Sequence, residues 1–380
     1  MNIYRISNDT DVKTIFKKLD VCSGGISIMS DKSELFLFYI KDIKTPAANI
    51  LKQDALSIGA EFAVPNGVIE CKSEFVDGVL ICNKKHIKIL AKKELAQPFG
   101  LKSLAHELKN FIDEESFDIS IMGVLNANSD SFYEDSRFKP NETISKIEQM
   151  IADGADIIDI GAISSRPGSL EVSEDEEFLR LKSVIDTIYS QKLYEKVEFS
   201  LDSYSYKCLE YALDRGFKIV NDITGLKNEN IAKLASKFCA TVVIMHMQNN
   251  PSNMQLNPTY DNVMIDIDNF FKQRVEMAKS FGVQNIILDV GIGFGKNLEH
   301  NLTLIKNLAH FKKFQIPLLI GASRKSMIDK ITPSDIKDRL AGTLAIHLKS
   351  LDNGASIIRC HDVKEHYQAI KVWKAIKNSF

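Results

Sequence analysis

Residues 119–124 read ISIMGV, residues 142–152 read ETISKIEQMIA and residues 156–160 read DIIDI. The first and last runs are rich in β-branched residues, whereas the middle stretch carries isoleucines three and four residues apart. These patterns predict a strand, an amphipathic helix and a second strand. A helix between two strands is the usual connection in a parallel sheet, because parallel strands need a long crossover.

The same unit repeats to the end of the chain and predicts an α/β fold. The strand candidates are Ile119–Val124, Asp156–Ile160, Lys196–Leu201, Phe217–Val220, Thr241–Met245, Asn285–Leu288, Ile316–Ile320 and Ser356–Arg359. A helix candidate follows each of them, the last over Val363–Ile376. Eight such units within about 250 residues predict a (β/α)8 TIM barrel.

The first 117 residues do not follow that alternation and predict a small α+β domain. Its strand candidates are Leu35–Ile40, Glu61–Val64 and Val79–Cys82, and its helix candidates are Pro46–Ile58, Lys84–Lys93 and a linking helix over Leu101–Ile112. We therefore predict domains over residues 1–117 and 118–380. The first shows no phosphate loop, metal cluster or nucleophile motif, so a structural, packing or regulatory role is expected for it.

Composition excludes several classes of protein. The chain has 380 residues, 44% hydrophobic and 26% charged, which excludes a disordered protein. Its 48 Lys and Arg against 50 Asp and Glu provide no basic field for nucleic acid or an anionic membrane. Six cysteines without a CxxC pattern exclude a zinc ribbon and a disulfide scaffold. Without a signal peptide or a long apolar run, a cytoplasmic protein is expected.

Polar residues follow almost every strand candidate, where barrel active sites are built. We sort them by chemistry into two sets. Asp202, Asn221, Asp289 and Lys325 suit a flat heterocycle with an amide-amidine edge, because a carboxylate accepts two parallel N–H bonds and a lysine donates to a carbonyl or ring nitrogen. Asn126, Arg166, Arg359 and His361 suit a polyanion, with Asn126 also able to bind a hard cation. The site predicted is one for a heterocycle that carries a phosphate or pyrophosphate.

Other motifs give weaker signals. The loops over residues 126–138 and 163–177 are polar and long enough to close over a substrate. DVGIGFGK (289–296) lacks the P-loop spacing, and close backbone approach to a planar ligand, with Phe294 near its face, explains its glycines better. His246 lies outside any HExxH pattern, which disfavours zinc. His300, His310, His347 and His366 fall on helical stretches and are predicted to be surface or packing residues.

From about residue 120 onward the chain resembles the dihydropteroate synthase family. IMGVLNANSDSF, IDIGAISSRPGS, SLDSYS, IVNDITG, MHMQ, ILDVGIGFGK, IGASRKS and RCHDVKE match the family's motifs in the same order. The resemblance implies that 7,8-dihydropterin pyrophosphate and p-aminobenzoate are joined to give 7,8-dihydropteroate and pyrophosphate, with Mg2+ bound at the phosphates. It also implies a cytoplasmic homodimer and a sulfonamide target.

Residue roles carry over position by position. Asp202, Asn221, Asp289 and Lys325 match the family's pterin pocket, and Asn126 matches its metal-linked asparagine. Arg166, Arg359 and His361 match its pyrophosphate-binding groups, and Phe132, Ser165, Pro167 and Ser326 match residues around the p-aminobenzoate pocket. Lys325, Asp202, Asn126 and Arg166 are the residues to which we assign catalysis.

Two alternatives remain at this stage. Pterin-binding methyltransferases use a similar barrel and a similar pair of carboxylates, but they have no pyrophosphate to discharge, so the SSRPG loop (164–168) and the Arg359 and His361 pair argue against them. A pterin-binding protein without turnover is the other alternative. Its only support is Asn128-Ser129, which stands where the family usually has Thr-Pro.

Overall fold

The computed structural model describes residues 1–8, 10–112, 115–126, 140–163 and 172–379, without the side chains of residues 140 and 141. The chain divides into two units, residues 1–114 with 377–380 and residues 115–376. Among the helices within the described ranges, none combines the length and apolar character needed to cross a bilayer.

The first unit is a three-stranded antiparallel sheet with helices. Its strands are β1 (Leu35–Lys44), β2 (Glu61–Ala63) and β3 (Phe75–Asn83), in the order β1-β3-β2. Its helices are α1 (Val12–Lys18), α2 (Ser23–Ser33), α3 (Thr45–Leu56), α4 (Lys84–Lys93) and α5 (Leu101–Lys109). The predicted α+β character of this region is confirmed.

Inward-facing and exposed side chains alternate along β1, and the inward-facing ones form one side of the core of this unit. Phe36, Phe38 and Ile40 pack against the core, whereas Leu37 and Tyr39 between them are exposed. This is the two-residue period of a half-buried strand. Leucine, isoleucine and alanine side chains of α3, α4 and α5 fill the other side.

Helices α1 and α2 are not among the sequence predictions. The first is only seven residues long. The second reads SGGISIMSDKS and buries no residue, and glycine is among the poorest helix formers. Neither segment therefore shows the long apolar stripe by which a helix is recognised in a sequence.

Glu94 is buried in this unit, and neither of its carboxylate oxygens has a hydrogen-bond partner among the described residues. Burial, and then the charge of Asp54, raise the pKa of Glu94 from 4.5 to about 7. The group therefore destabilises the folded state above pH 7, and this cost disappears as pH falls from 7 to below 4.5. We expect Glu94→Gln to stabilise the unit by up to about 3 kcal/mol at pH 8 and by nothing below pH 4.5.

Hydrogen exchange of the peptides that cover residues 84–96 measures this stability in the full chain. Glu61→Gln is the matched control, because Glu61 is an exposed glutamate of the same unit. Equal protection of the Glu94→Gln variant and wild type at pH 8 would contradict the prediction.

The second unit is a closed parallel barrel, so the predicted TIM barrel is confirmed. Its strands are β4 (Ser120–Asn126), β5 (Ile157–Gly161), β6 (Glu198–Asp202), β7 (Ile219–Asp222), β8 (Thr241–Met245), β9 (Ile286–Asp289), β10 (Leu318–Ile320) and β11 (Ile357–Cys360). Every strand pairs with the next in the chain, and β11 pairs with β4 to close the ring.

Helices surround this barrel. They are α6 (Pro140–Ala152), α7 (Glu174–Ser190), α8 (Tyr206–Leu213), α9 (Glu229–Lys237), α10 (Val263–Ser280), α11 (Leu298–Lys306), α12 (Ser326–Ile331), α13 (Leu340–Asp352) and α14 (Val363–Lys377). Polar side chains cap most of them, such as Ser173, which accepts a hydrogen bond from the backbone N–H of Glu176 at the start of α7.

Candidate active site

The inward-facing side of the barrel strands changes from apolar to polar toward the carboxyl ends. One layer of the interior is apolar: Met122, Ile157, Ile219, Val243, Ile287, Leu319 and Ile357. Two residues further along, four of the same strands carry Asp159, Asn221, Asp289 and Arg359. Residues two apart point to the same side of a strand, so the apolar layer supports a polar layer above it. This is the end of the barrel where active sites are built.

Arg359 joins two carboxylates across the barrel. Its Nε lies 2.7 Å from Oδ2 of Asp159, and its Nη2 lies 2.7 Å from Oδ2 of Asp202. The side chain of Asp159 is fully buried, and the Nδ2 of Asn221 also donates to its Oδ2 at 3.1 Å. The described hydrogen bonds of Asp202 engage only Oδ2, which leaves its other oxygen available to a ligand.

Burial is the main influence on the pKa values of Asp202 and Asp289. Burial raises the pKa of Asp202, Arg359 opposes the shift, and Asp159 and Glu177 add to it, so that the pKa lies at about 7. Burial also raises the pKa of Asp289, against the hydrogen bond from the backbone N–H of Gly291 at 2.7 Å. The carboxylates raise the pKa of Arg359, so its guanidinium stays charged between them.

Lys325 approaches this layer from the loop after β10. Its Nζ lies 4.0 Å from the centroid of the Phe294 ring, a cation–π contact. Phe294 is buried in a small apolar cluster beside the polar layer. Gly293 has a φ of +83°, and a Cβ there would lie 3.2 Å from Cδ of Lys325, so the loop after β9 passes closely under the lysine.

Lys296, a residue of the same loop, joins it to the segment after β8. Its Nζ donates to the carbonyl oxygens of His246 at 3.1 Å and Phe294 at 2.9 Å, and lies 3.0 Å from Nδ1 of His246. Burial lowers the pKa of Lys296 to about 7 and that of His246 to about 2. Gly291 has a φ of +69°, and a Cβ there would lie 2.0 Å from the His246 carbonyl, so only glycine fits.

His361 lies at the rim, after β11. It is exposed, and its Nδ1 lies 2.9 Å from Oγ of Ser323 in the loop after β10. Asn126 is exposed at the end of β4, and Ser326 is exposed as the first residue of α12. Phe132, Ser165, Arg166 and Pro167 lie outside the described residues.

Asp202 and Asn221 lie in one hydrogen-bonded network through Asp159 and Arg359, Asp289 lies in the same layer, and Lys325 contacts Phe294. Arg359, predicted to belong to the polyanion set, contacts Asp202 of the heterocycle set and also Asp159, which belongs to neither set. Asp159 is the main residue that the predicted set omits. The signal for it was present, because it follows Ile157 at the same two-residue spacing that relates Asn221 to Ile219.

Comparisons with known proteins show the family of the chain. The model of a family described as pterin binding enzyme matches residues 122–361. The chain belongs to the pterin-binding enzyme family. A Helicobacter pylori relative, a bifunctional dihydropteroate synthase/dihydropteroate reductase, is 44% identical over 352 residues, which cover 92% of this chain and 93% of the relative.

Solved structures of dihydropteroate synthases resemble the barrel. The Yersinia pestis enzyme in a sulfonamide drug complex matches with a TM-score of 0.64 and 34% identity, over 70% of this chain and 99% of that one. The enzyme of Clostridium difficile in the presence of pteroic acid matches with a TM-score of 0.64 and 38% identity, over 70% of this chain and 100% of that one.

Proposed function

We propose that this pterin-binding enzyme joins 7,8-dihydropterin pyrophosphate to p-aminobenzoate, giving 7,8-dihydropteroate and pyrophosphate for folate biosynthesis. The observation that carries the proposal is the polar layer in which Arg359 bridges Asp159 and Asp202 beside Asn221. The related enzymes named above are synthases, which favours this reaction over the methyltransferase alternative.

The dihydropterin is recognised by complementary hydrogen bonds. Asp202 accepts from the amide-amidine edge of the ring through its available carboxylate oxygen, and Asn221 and Asp289 add an amide and a second carboxylate. Lys325 donates to the ring carbonyl or a ring nitrogen from its place over Phe294. These groups sit on strand ends and a short loop, so they orient the ring before reaction.

The reaction is a displacement at the methylene carbon of the dihydropterin. The bond from carbon to the pyrophosphate oxygen breaks, the amine nitrogen of p-aminobenzoate forms the new bond, and the amine releases a proton. The electron-rich ring stabilises the cationic carbon while negative charge grows on the leaving group. His361 and Arg166 are proposed to contact this leaving group, and Arg359 is proposed to balance charge at its pterin end.

Magnesium is the proposed cofactor. The side chain of Asn126 offers an amide oxygen, is exposed at the carboxyl end of β4, and has no hydrogen bond to the described residues. One protein oxygen together with substrate phosphates is a usual Mg2+ environment, so the donor present fits the ion. When bound, Mg2+ would neutralise charge on the pyrophosphate. The p-aminobenzoate pocket is proposed to involve Phe132, Ser165, Pro167 and Ser326.

A pyrophosphate-release assay tests the proposed function. Purified protein, Mg2+, dihydropterin pyrophosphate and p-aminobenzoate should together release pyrophosphate and form dihydropteroate. Omission of p-aminobenzoate is the control, and EDTA should stop the reaction. Absence of release that depends on all components would refute the synthase activity and leave the alternative of pterin binding without turnover.

Pterin affinity should depend on pH through Asp202. Because its pKa is raised to about 7, the carboxylate is mostly protonated at pH 6 and mostly ionised at pH 8. The ionised carboxylate is a strong acceptor for the ring N–H groups and the protonated form is not, so binding of a neutral dihydropterin without phosphate should tighten about tenfold from pH 6 to pH 8. Calorimetric titration measures this. In the Asp202→Asn variant the affinity should not change over this pH range. An affinity of wild type that does not change between pH 6 and pH 8 would contradict the prediction.

A second activity is proposed for the whole chain. The Helicobacter pylori relative is also named a dihydropteroate reductase, and its match covers 92% of this chain, whereas the synthase structures cover 70%. Reduction of dihydropteroate adds a hydride to C6 and a proton to N5, and it needs a hydride donor such as a reduced nicotinamide or flavin. Dihydropteroate-dependent oxidation of that donor by the full chain would support the activity, and its absence with both donors would exclude it.

The protein is further proposed to be a cytoplasmic homodimer. Tyr367, Val372 and Ile376 are exposed apolar residues of α14, and they offer a surface on which two copies of the chain could pair. Sedimentation equilibrium should show twice the mass of one chain, and Val372→Asp should shift the equilibrium toward monomer.

A further inference from the structure

Two histidines outside the proposed substrate contacts form a buried pair behind the active-site loops. His347 of α13 and His366 of α14 are each 1% exposed, and Nδ1 of His347 lies 2.8 Å from Nε2 of His366. Each histidine of the pair also contacts a backbone group. The N–H of Ala322 donates to Nε2 of His347 at 3.1 Å, and Nδ1 of His366 lies 2.6 Å from the carbonyl oxygen of Asp362.

The backbone partners of His347 and His366 determine which ring nitrogens of the two histidines carry a proton. A backbone N–H only donates, so Nε2 of His347 carries no proton. The proton of neutral His347 is then on Nδ1 and is donated to Nε2 of His366, which must also be unprotonated. His366 therefore carries its proton on Nδ1 and donates it to the Asp362 carbonyl, which only accepts. An additional proton on either ring would place two N–H groups face to face, so both histidines are neutral.

The chain of hydrogen bonds connects the two loops that supply active-site groups. Ala322 directly precedes the segment that contains Ser323 and Lys325, and Asp362 directly follows His361. Both loops leave the carboxyl ends of neighbouring strands, β10 and β11. A link between the two backbones therefore controls the distance between a pterin-pocket group and a leaving-group contact.

The loop after β10 needs such a link because its backbone is strained. Arg324 has a φ of +56°, a left-handed conformation that costs a residue with a side chain about 1 kcal/mol or more. Its backbone N–H donates to Oγ1 of Thr343 at 2.9 Å, and its guanidinium pairs with the carboxylate of Asp362. Strain of this kind persists only where the surroundings fix the conformation, and Lys325 is the next residue.

Packing alone does not account for the pair. Two buried imidazoles lose their hydration and are tolerated only when their nitrogens are hydrogen bonded. Apolar side chains of similar volume would fill the space, but they would leave the N–H of Ala322 buried without a partner. All four ring nitrogens are used, and they run in one direction from the first loop to the second.

We propose that His347 and His366 are positioning residues, a neutral two-imidazole relay that holds the loop after β10 in register with the loop after β11. Through Ala322 the relay places Lys325 over Phe294, and through Asp362 it places His361 beside Ser323. The proposal rests on the proposed synthase function, because the groups that it positions are the ones assigned to the dihydropterin pyrophosphate.

The tautomers test the relay without reference to activity. Imidazole in water favours the tautomer with the proton on Nε2, whereas the relay requires both histidines to carry it on Nδ1. Long-range proton–nitrogen correlation spectra of the full chain, labelled with 15N-histidine, should show two neutral Nδ1–H histidines at pH 7. His347→Leu and His366→Leu should each remove one assigned signal. Absence of these two tautomers in wild type would overturn the relay.

A matched pair of variants tests its effect on the site. Leucine at position 366 removes the acceptor for His347, whereas glutamine places an oxygen at the same number of bonds from Cα as Nε2. We expect His366→Leu to raise the KM for dihydropterin pyrophosphate about tenfold, and His366→Gln to restore it to within about twofold of wild type. A merely structural role would reduce the folded fraction, and with it kcat, but would leave KM unchanged.

The outcomes separate the two proposals. Provided that wild type releases pyrophosphate, either of two results would overturn the positioning role. One is an unchanged KM in His366→Leu, and the other is a KM in His366→Gln that is raised as much as in His366→Leu. If wild type released no pyrophosphate, the synthase function would be refuted. The position of Lys325 would then be tested by measuring the affinity of each variant for an unphosphorylated dihydropterin in place of KM. Two Nδ1–H tautomers together with rescue by glutamine would establish the relay.

Discussion

Asp202→Asn is expected to weaken binding of an unphosphorylated dihydropterin by about 100-fold at pH 8. The wild-type carboxylate accepts N–H bonds as a charged acceptor, and such bonds are worth about 1.5–3 kcal/mol. Asparagine replaces one acceptor with an NH2 donor that faces the donors of the ligand. A loss of about 2.7 kcal/mol corresponds to 100-fold in the dissociation constant, which isothermal titration calorimetry measures directly.

Cys360→Ala is the matched control for this experiment. Cys360 is fully buried on β11, next to Arg359 in the chain, and burial raises the pKa of its thiol, which keeps it neutral. Its side chain lies in the apolar core outside the polar layer. Affinity within about twofold of wild type is expected for the control, and Lys325→Ala should weaken binding as Asp202→Asn does. Wild-type affinity in Asp202→Asn would mean that the pterin binds elsewhere.

Arg359→Met is expected to lower both stability and turnover. Removal of the guanidinium leaves the Asp159 carboxylate fully buried without its counterion, and the loss of one partner from a buried ion pair costs about 3–5 kcal/mol. Turnover should also fall about 10²-fold to 10³-fold, because a preorganised charge near the developing pyrophosphate is lost. Urea denaturation of the barrel and steady-state kinetics give the two quantities.

A second substitution separates these two effects. Asp159→Asn in the Arg359→Met background removes the uncompensated charge, so the double variant should regain much of the lost stability and none of the turnover. The single variant Asp159→Asn completes the double-mutant cycle, which gives the interaction energy between Arg359 and Asp159. Stability losses that simply add in the double variant would show that Arg359 and Asp159 do not interact energetically.

Much of the barrel could be predicted because its strands are buried on both faces and return through helices. Apolar β-branched runs between amphipathic stretches mark such strands, and all eight candidates overlap the observed ones. Helices α1 and α2 could not be predicted in the same way, since the burial that marks a helix is nearly absent from them.

Some residues of the candidate site could likewise be predicted from the sequence, and others could not. Asp202, Asn221 and Asp289 could be predicted because each stands at the end of a strand, where the fold itself brings strand ends together. Arg359 could be placed at the site but not with its partners, because position on a strand does not tell which carboxylates a long flexible side chain reaches. No sequence pattern indicated that Lys296, within the loop after β9, donates hydrogen bonds to His246 and Phe294.

The barrel, the family and the polar residues at the strand ends could all be predicted from the sequence. They depend on periodicity and motif order, which are properties of neighbours along the chain. The bridge from Arg359 to Asp159 and Asp202, and the link that His347 and His366 make between two loops, are evident only in the folded protein. Those pairs lie 200, 157 and 19 residues apart in the chain, so their contacts arise from the closure of the barrel and the packing of its helices.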